Sequence, residues 1–344
     1  MSKGEYMLKE LTEGPDGILR TLKEAKREVL NSKELIESKG LNKSFIIGSG
    51  TSFHASLFLQ MLLTRYTNLH VAAVPASEFK EWTPLARNDY FLIGYSQSGE
   101  SSDIVEAVKI ANDKGILSIS ITNTPGSTLT KISTQAIVTK AGKEKAVAAT
   151  KTFDVQLTAA LMFTYMLSDK DIEKISNAAE VAKKVLKLSD EIRKIAEKYK
   201  DATNAFTLGR GLAYPIALEA GLKLKEAAMI HSEGFAVREF LHGPVQLVDE
   251  KTPVLLFVTS EECFKESIKA LEKIKQYDAP IIYVGPLADL AERYCTEFIE
   301  IEQIDEELMP IPLVKAAQLF AYHISILRGL NPDKPTKLSK VVMY

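Results

Sequence analysis

The run Leu222-Lys223-Leu224-Lys225-Glu226, the triplet His242-Gly243-Pro244 and a lysine near the C-terminus, Lys340, put a carboxylate, an imidazole and amines into one chain. Together such groups can open a cyclic hemiacetal, move a proton between neighbouring carbons and hold a carbonyl as an imine. Upstream, Ser96-Gln97-Ser98-Gly99-Glu100-Ser101 offers hydroxyls suited to an anion such as a phosphate. Each feature also has a plain structural explanation. Glu219, Lys223 and Glu226 share one helix face, the spacing of an exposed ion-pair ladder. A histidine before Gly-Pro suits a turn, and a lysine close to a chain end is ordinarily solvated. Lys340, however, precedes Val341-Val342-Met343-Tyr344, an apolar end expected to dock on the protein. An amine carried by a docked tail loses part of its hydration and becomes a better nucleophile.

The elements around these residues give them positions. The serine-rich loop follows an apolar strand, Tyr90 to Tyr95, and precedes a helix expected to begin near Asp103. Unsatisfied amides and the dipole at a helix start favour an anion there. Gly48-Ser49-Gly50-Thr51-Ser52 closes a second apolar strand. Helix capping by Ser or Thr explains one such loop. Two of them at strand ends in the same lobe point to a ligand crevice. The dinucleotide fingerprint does not fit, because Gly48-Ser49-Gly50 lacks the third glycine at the required place.

The chain repeats itself. Phe45 to Gly50 lies over Phe206 to Gly211, a shift of 161 that carries Gly48 onto Gly209. It also carries Ser77-Glu78-Phe79 onto Arg238-Glu239-Phe240, and with slight slippage the serine-rich loop onto Val258-Thr259-Ser260-Glu261. Each copy reads as an apolar strand, a Gly-x-Gly turn, a long helix and further short strands: Tyr90 to Tyr95 and Leu117 to Thr122, then Val254 to Val258 and Ile281 to Val284. Alternating strands and helices imply parallel sheets covered on both faces. The period is that of a duplicated domain, not a solenoid. Helices are expected from Gly14-Pro15-Asp16-Gly17 onward, with a stripe of Ile18, Leu19, Leu22, Ala25 and Val29. Others are expected through Asp169 to Ala202 and from Ile216 to His231.

Composition sets wider limits. With 344 residues, 46% hydrophobic, 26% charged and a net charge of -2, the chain reads as about two globular domains. Dispersed lysines and near-neutral charge give no footprint for nucleic acid. Cys263 and Cys295 lack metal or disulfide spacing and fit a reducing compartment, so a cytoplasmic location is expected. Apolar runs such as Leu157 to Leu167 fall short of a membrane span. The five histidines form no ligand cluster, so neither metal nor cofactor is expected.

The ordered set Gly48-Ser-Gly-Thr-Ser, Ser96-Gln-Ser-Gly-Glu, Asn123-Thr-Pro-Gly-Ser-Thr, Leu222-Lys-Leu-Lys-Glu, Glu239-Phe-Leu-His-Gly-Pro and Pro335-Thr-Lys-Leu-Ser-Lys340 resembles the double sugar-isomerase (SIS) module of glucosamine-6-phosphate synthase. The likeness runs from Tyr6-Met-Leu-Lys-Glu almost to the end of the chain. It implies an α/β fold of two duplicated SIS lobes, each a mainly parallel sheet flanked by helices in a flavodoxin-like three-layer sandwich. The implied divisions are residues 1–43 as a segment packing on the first lobe, 44–168 as that lobe and 169–201 as a connecting helix. Residues 202–330 are then the second lobe and 331–344 a tail carrying the active-site lysine.

The resemblance also implies roles. Thr51, Ser52, Ser96, Gln97, Ser98 and Ser101 would hold a sugar phosphate, with Val147 touching the sugar. Ala149 stands where the synthase typically has serine. Glu226, aided by Lys223, would shuttle a proton between C1 and C2. His242 would open the ring and reach the neighbouring site of a homodimer, and Lys340 would form a Schiff base with the open-chain ketose. The synthase starts with a glutaminase whose cysteine attacks glutamine. Here Met1-Ser2 opens the chain, so ammonia release is expected instead, as in isomerising glucosamine-6-phosphate deaminases of this module. An aldose-ketose phosphate isomerase, a deglycase of amino-acid-linked sugar phosphates and a sugar-phosphate-binding regulator are the alternatives. Retention of Glu226, His242 and Lys340 argues against the regulator.

Overall fold

Near-continuous apolar runs such as Phe45-Ile46-Ile47 and Val254-Leu255-Leu256-Phe257 are strands buried on both faces, the condition that parallel sheets require. The structure is a computed structural model that describes residues 2–340. The expected docking of Val341 to Tyr344 lies outside the described residues. In chain order the elements are α1 (Glu5–Glu24), α2 (Lys26–Ser38), β1 (Lys43–Gly48), α3 (Thr51–Tyr66), β2 (His70–Pro75), α4 (Phe79–Trp82), β3 (Tyr90–Tyr95) and α5 (Ser102–Asp113). Then come β4 (Leu117–Thr122), α6 (Thr128–Ile132), β5 (Gln135–Val138), α7 (Lys151–Leu167), α8 (Ser176–Lys187) and α9 (Ser189–Tyr199). The second half holds β6 (Asn204–Gly209), α10 (Tyr214–Ala228), β7 (His231–Ala236), β8 (Val254–Phe257), α11 (Glu261–Lys265), α12 (Ile268–Lys275), β9 (Ile281–Gly285), β10 (Glu297–Glu300) and α13 (Pro310–Leu327).

There are two five-stranded parallel sheets with one topology, β2-β1-β3-β4-β5 and its copy β7-β6-β8-β9-β10. The duplicated α/β architecture expected from the sequence is therefore present. In the first sheet Phe45 stands beside Leu92, and in the second Phe206 stands beside Val254. The shift of 161 between first strands thus becomes 162 at the next, which is the slippage seen in the serine-rich loop. Gly48 and Gly209 do the same work. A Cβ on either would meet the carbonyl oxygen four residues on, that of Ser52 at 2.4 Å or Ala213 at 2.2 Å. Only glycine lets the following helix start so tightly against its strand.

The chain divides into two compact units. Among the described residues, the first-sheet unit comprises Glu13–Glu144, Lys151–Ser176 and 339–340; the second-sheet unit comprises 2–12, Lys145–Thr150 and Asn177–Leu338. In the first, Phe45, Ile47, Phe79, Leu92, Ile104 and Val108 form a core, while α3 and α2 pack on α7, buried along nearly its whole length. In the second, Phe206, Phe240, Leu256, Phe264, Leu271 and Tyr283 do so, while α10 and α9 pack on the equally buried α13.

Several boundaries differ from those expected. Residues 1–43 do not all join the first lobe, since residues 2–12 belong to the second-sheet unit. The first helix begins at Glu5, not near Gly14, and Pro15 lies inside it. Its starting amides are bound from far along the chain: the Asp333 carboxylate accepts from Tyr6 N at 3.1 Å and Met7 N at 2.8 Å. That cap is invisible to local sequence. The stretch read as one connecting helix is two helices broken at Leu188, which from Asn177 onward belong to the second-sheet unit. The helix expected to reach His231 stops at Ala228, because Met229 turns left-handed at φ 53° and His231 opens β7.

Gly234 on β7 lets α10 press onto the sheet. A Cβ there would meet Leu218 Cα at 2.7 Å and Ala217 O at 2.8 Å. Gly234→Ala is expected to cost about 1–3 kcal/mol through overpacking against backbone, read as a lowered urea midpoint with an unchanged slope.

Candidate active site

In each sheet the first strand has neighbours reached by crossovers in opposite directions, so the chain leaves it and the third strand on opposite sides. Ligands of doubly wound sheets bind at such a reversal, outside the carboxyl ends of the strands. In the first-sheet unit those ends carry Gly48 to Ser52 after β1 and Ser96 to Ser101 after β3. The structure thus brings Thr51, Ser52, Ser96, Gln97, Ser98 and Ser101 to one edge of one sheet.

The serine-rich loop is rigidly built. Ser96 Oγ accepts from Gly99 N at 3.1 Å, and Ser98 Oγ from Glu100 N at 3.2 Å. The Gln97 carbonyl accepts from Asn123 N, Thr122 Oγ1 and Thr124 Oγ1. Glu100 accepts from Thr128 N at 2.9 Å and Thr128 Oγ1 at 2.7 Å, bonds that hold its carboxyl below the usual range. Gly99 has φ 68° and a Cβ on it would lie 2.2 Å from Ser127 Oγ, so glycine is required. Ser101 is the N-cap of α5 yet makes no side-chain capping bond, so capping does not account for it. Ser52 is buried, and its Oγ accepts from Gln156 Nε2 at 2.9 Å, leaving the hydroxyl proton to donate elsewhere.

The copied edge of the second sheet has different chemistry. Thr259 and Ser260 there donate to Glu306 Oε1 at 3.2 and 3.5 Å, and Arg210 is ion-paired with Glu266. A carboxylate at that position disfavours an anion.

The second-sheet unit holds the carboxylate and imidazole candidates. On α10, Lys223 lies 3.3 Å from Glu219 and is also bonded to Glu226. The side chains of Lys223 and Glu219 are wholly inaccessible and that of Glu226 is 22% accessible. The exposed ladder that the spacing allowed is therefore not what forms. Burial pushes the Lys223 ammonium down, but the two carboxylates more than offset this and hold its pKa above the ordinary lysine value. His242 ends a short 3-10 turn, Glu239–His242, and is exposed. Val147 is half-buried, in a segment pinned by its own N–H to Asp333 O at 3.2 Å and by Ala146 N to the buried carboxylate of Glu10 at 3.1 Å.

Lys340 belongs to the first-sheet unit, with the phosphate-type loops. Its Nζ lies 2.6 Å from Glu144 Oε2. Sequence reading missed Glu144, Gln156 and Glu10. None stands in a quoted motif; Gln156 and Glu10 are identified by partners more than a hundred residues away, and Glu144 by Thr152 eight residues on together with Lys340.

Two doubly wound sheets with a hydroxyl-lined reversal in one copy define a duplicated α/β fold of the class that binds ligands outside the carboxyl ends of its strands. The pattern of the SIS domain matches residues 39–166 and 198–328, and the chain belongs to that family. It is 35% identical to the glutamine–fructose-6-phosphate aminotransferase (isomerizing) of Pyrococcus horikoshii over 98% of its own length and 57% of that relative. The enzyme of the same name from Aquifex aeolicus is also 35% identical, over the same shares. The chain thus spans a little over half the length of these curated relatives. Among solved structures it is similar to the C-terminal domain of glucosamine-fructose-6-phosphate aminotransferase from Francisella tularensis, with TM-score 0.88 and 29% identity, covering 97% of this chain and 100% of that one. Glucosamine-6-phosphate deaminase from Thermotoga maritima shares the fold at TM-score 0.71 and 22% identity, over 96% and 99%. Among the described residues no helix is long and apolar enough to cross a membrane.

Removing the cation of the α10 group leaves buried carboxylates uncompensated. Lys223→Met is expected to lower stability by about 3–5 kcal/mol, measured by chemical denaturation, whereas the exposed Lys225→Met is expected to change it by less than about 0.5 kcal/mol.

Proposed function

We propose that the chain converts glucosamine 6-phosphate and water to fructose 6-phosphate and ammonia, as an isomerising deaminase. The observation that carries this reading is the pair of lysines held by carboxylates. Lys223 is buried between Glu219 and Glu226, a costly arrangement in a protein interior. Lys340 is a second amine, three-quarters buried, in the unit that carries the serine-rich loop. A plain aldose-ketose isomerase needs the proton shuttle but no imine-forming amine, and Lys340 favours nitrogen chemistry over it.

In this reading Thr51, Ser52, Ser96, Gln97, Ser98 and Ser101 bind the phosphate and Val147 contacts the sugar. His242 opens the ring, and its exposure suits reaching the neighbouring site of a homodimer. Glu226 removes the C2 proton and returns it to C1, with the Lys223 ammonium stabilising the charge that develops on the enolamine. The product is a ketose iminium. Lys340 displaces ammonia from C2 by transimination, and water then hydrolyses the lysine imine. The cytoplasm is the expected setting, with no resident cofactor.

Incubation with glucosamine 6-phosphate, without glutamine, is expected to release ammonia and fructose 6-phosphate in equal amounts. If hexose phosphates interconvert while neither product appears, the isomerase reading replaces this one. Release of an amino acid from a sugar-linked amino acid indicates a deglycase instead. Glu226→Gln is expected to keep sugar-phosphate binding while slowing solvent deuterium exchange at C2 by at least about 100-fold; normal exchange removes Glu226 from the mechanism.

A further inference from the structure

Glu144 lies in no recognisable motif, yet its carboxylate is among the most fully committed in the first-sheet unit. Its side chain is 0% accessible. Oε1 accepts from Thr152 N at 3.1 Å, while Oε2 accepts from Thr152 Oγ1 at 2.7 Å and from Lys340 Nζ at 2.6 Å. Thr152 stands in the first turn of α7, so the carboxylate is fixed by a rigid element. Lys340, by contrast, belongs to the tail, with 25% of its side chain accessible. The fixed partner is thus the acid and the partly accessible one the amine.

We propose that Glu144 takes the proton that frees the Lys340 amine and then serves as counter-ion to the iminium that Lys340 forms. This rests on the reading of Lys340 as the imine-forming lysine. The lysine imine that water hydrolyses in the deaminating direction forms, in reverse, from the ketose, and an ammonium has no lone pair with which to add to that carbonyl. Glu144 accepts one proton from Lys340 Nζ as the nitrogen lone pair bonds to C2 and the carbonyl π pair moves to oxygen. A second proton passes from nitrogen to that oxygen, giving the neutral carbinolamine. Glu144 then returns its proton to the carbinolamine hydroxyl, which leaves as water while the nitrogen lone pair forms the C=N bond. The sum is an ammonium plus a ketone giving an iminium plus water, with Glu144 again a carboxylate. One positive charge faces Glu144 at the start and at the end. The pair therefore never separates charge in a site where doing so is expensive. A counter-ion with a purely structural role would need only to hold the ammonium, and its loss would release the tail and the sugar together.

The test is reductive trapping with borohydride and fructose 6-phosphate, followed by mass spectrometry. Wild-type protein is expected to gain the reduced sugar adduct on Lys340, and Lys340→Ala to gain none. Glu144→Gln keeps the shape of the Thr152 bonds; its trapping rate is expected to fall by about 100-fold, while its Kd for fructose 6-phosphate moves by no more than about threefold. In Glu144→Ala, added formate is expected to restore trapping in proportion to its concentration. Undiminished trapping in Glu144→Gln overturns the inference and leaves Lys340 in place. Loss of trapping and binding together, with no response of Glu144→Ala to formate, overturns it in favour of a structural ion pair. An adduct that persists in Lys340→Ala overturns the parent reading of Lys340 as well.

Discussion

The order of strands in a parallel sheet constrains everything else in this protein. Because β1 and β3 are neighbours while their crossovers run to opposite sides, the segments leaving their carboxyl ends must part, and a crevice opens between them. Glycine at position 48 then brings the start of α3 against β1, and glycine at 99 lets the next loop fold over Ser127. The hydroxyls of Ser52 and Ser96 are consequently held by backbone geometry. Their supports are equally firm, since Gln156 comes from buried α7 and Glu100 is bonded to Thr128. Preorganised donors of this kind need little rearrangement to receive an anion.

Charge is handled differently in the two units. The loops at the carboxyl edge of the first sheet rely mainly on backbone amides and hydroxyls. On α10 an ammonium and two carboxylates are desolvated together. Such groups are seldom neutral to stability, because the dehydration of each ion must be met by its partners. The Lys340–Glu144 pair is intermediate, one member inaccessible and the other reachable. Polar groups thus range from hydroxyls through a partly accessible ion pair to a closed one.

Much of this was legible in the sequence because it is written locally. Apolar runs ending in Gly-x-Gly or in clustered serines marked β1, β3, β6 and their loops, and the 161-residue shift disclosed the duplication before any sheet was seen. What could not be read was set by distant residues. Asp333 starts α1 ahead of a proline that locally marks a beginning, and Leu188 divides a stretch whose helical periodicity is unbroken. Spacing on α10 gave the correct face for Glu219, Lys223 and Glu226 but not its burial, since that depends on α13 packing over α10 from nearly a hundred residues downstream. Glu144 was unreadable in part for the same reason: besides nearby Thr152 it pairs with Lys340, 196 residues on.

The duplication supplies its own control for the α10 charges. Moved back by the shift that superposes Gly209 on Gly48, Glu219, Lys223 and Glu226 fall on Phe58, Leu62 and Arg65 of α3. Phe58 and Leu62 are fully buried in an ordinary apolar core. Conversely, Thr51 and Ser52 fall on Leu212 and Ala213. Two positions of the same helical register are thus filled with hydrocarbon in one half and with ions in the other, while the third carries the exposed Arg65 in α3. The buried face of such a helix can pack without charge, so the fold alone does not call for the ionised copy. Each half carries polar groups at positions that the other fills with packing residues.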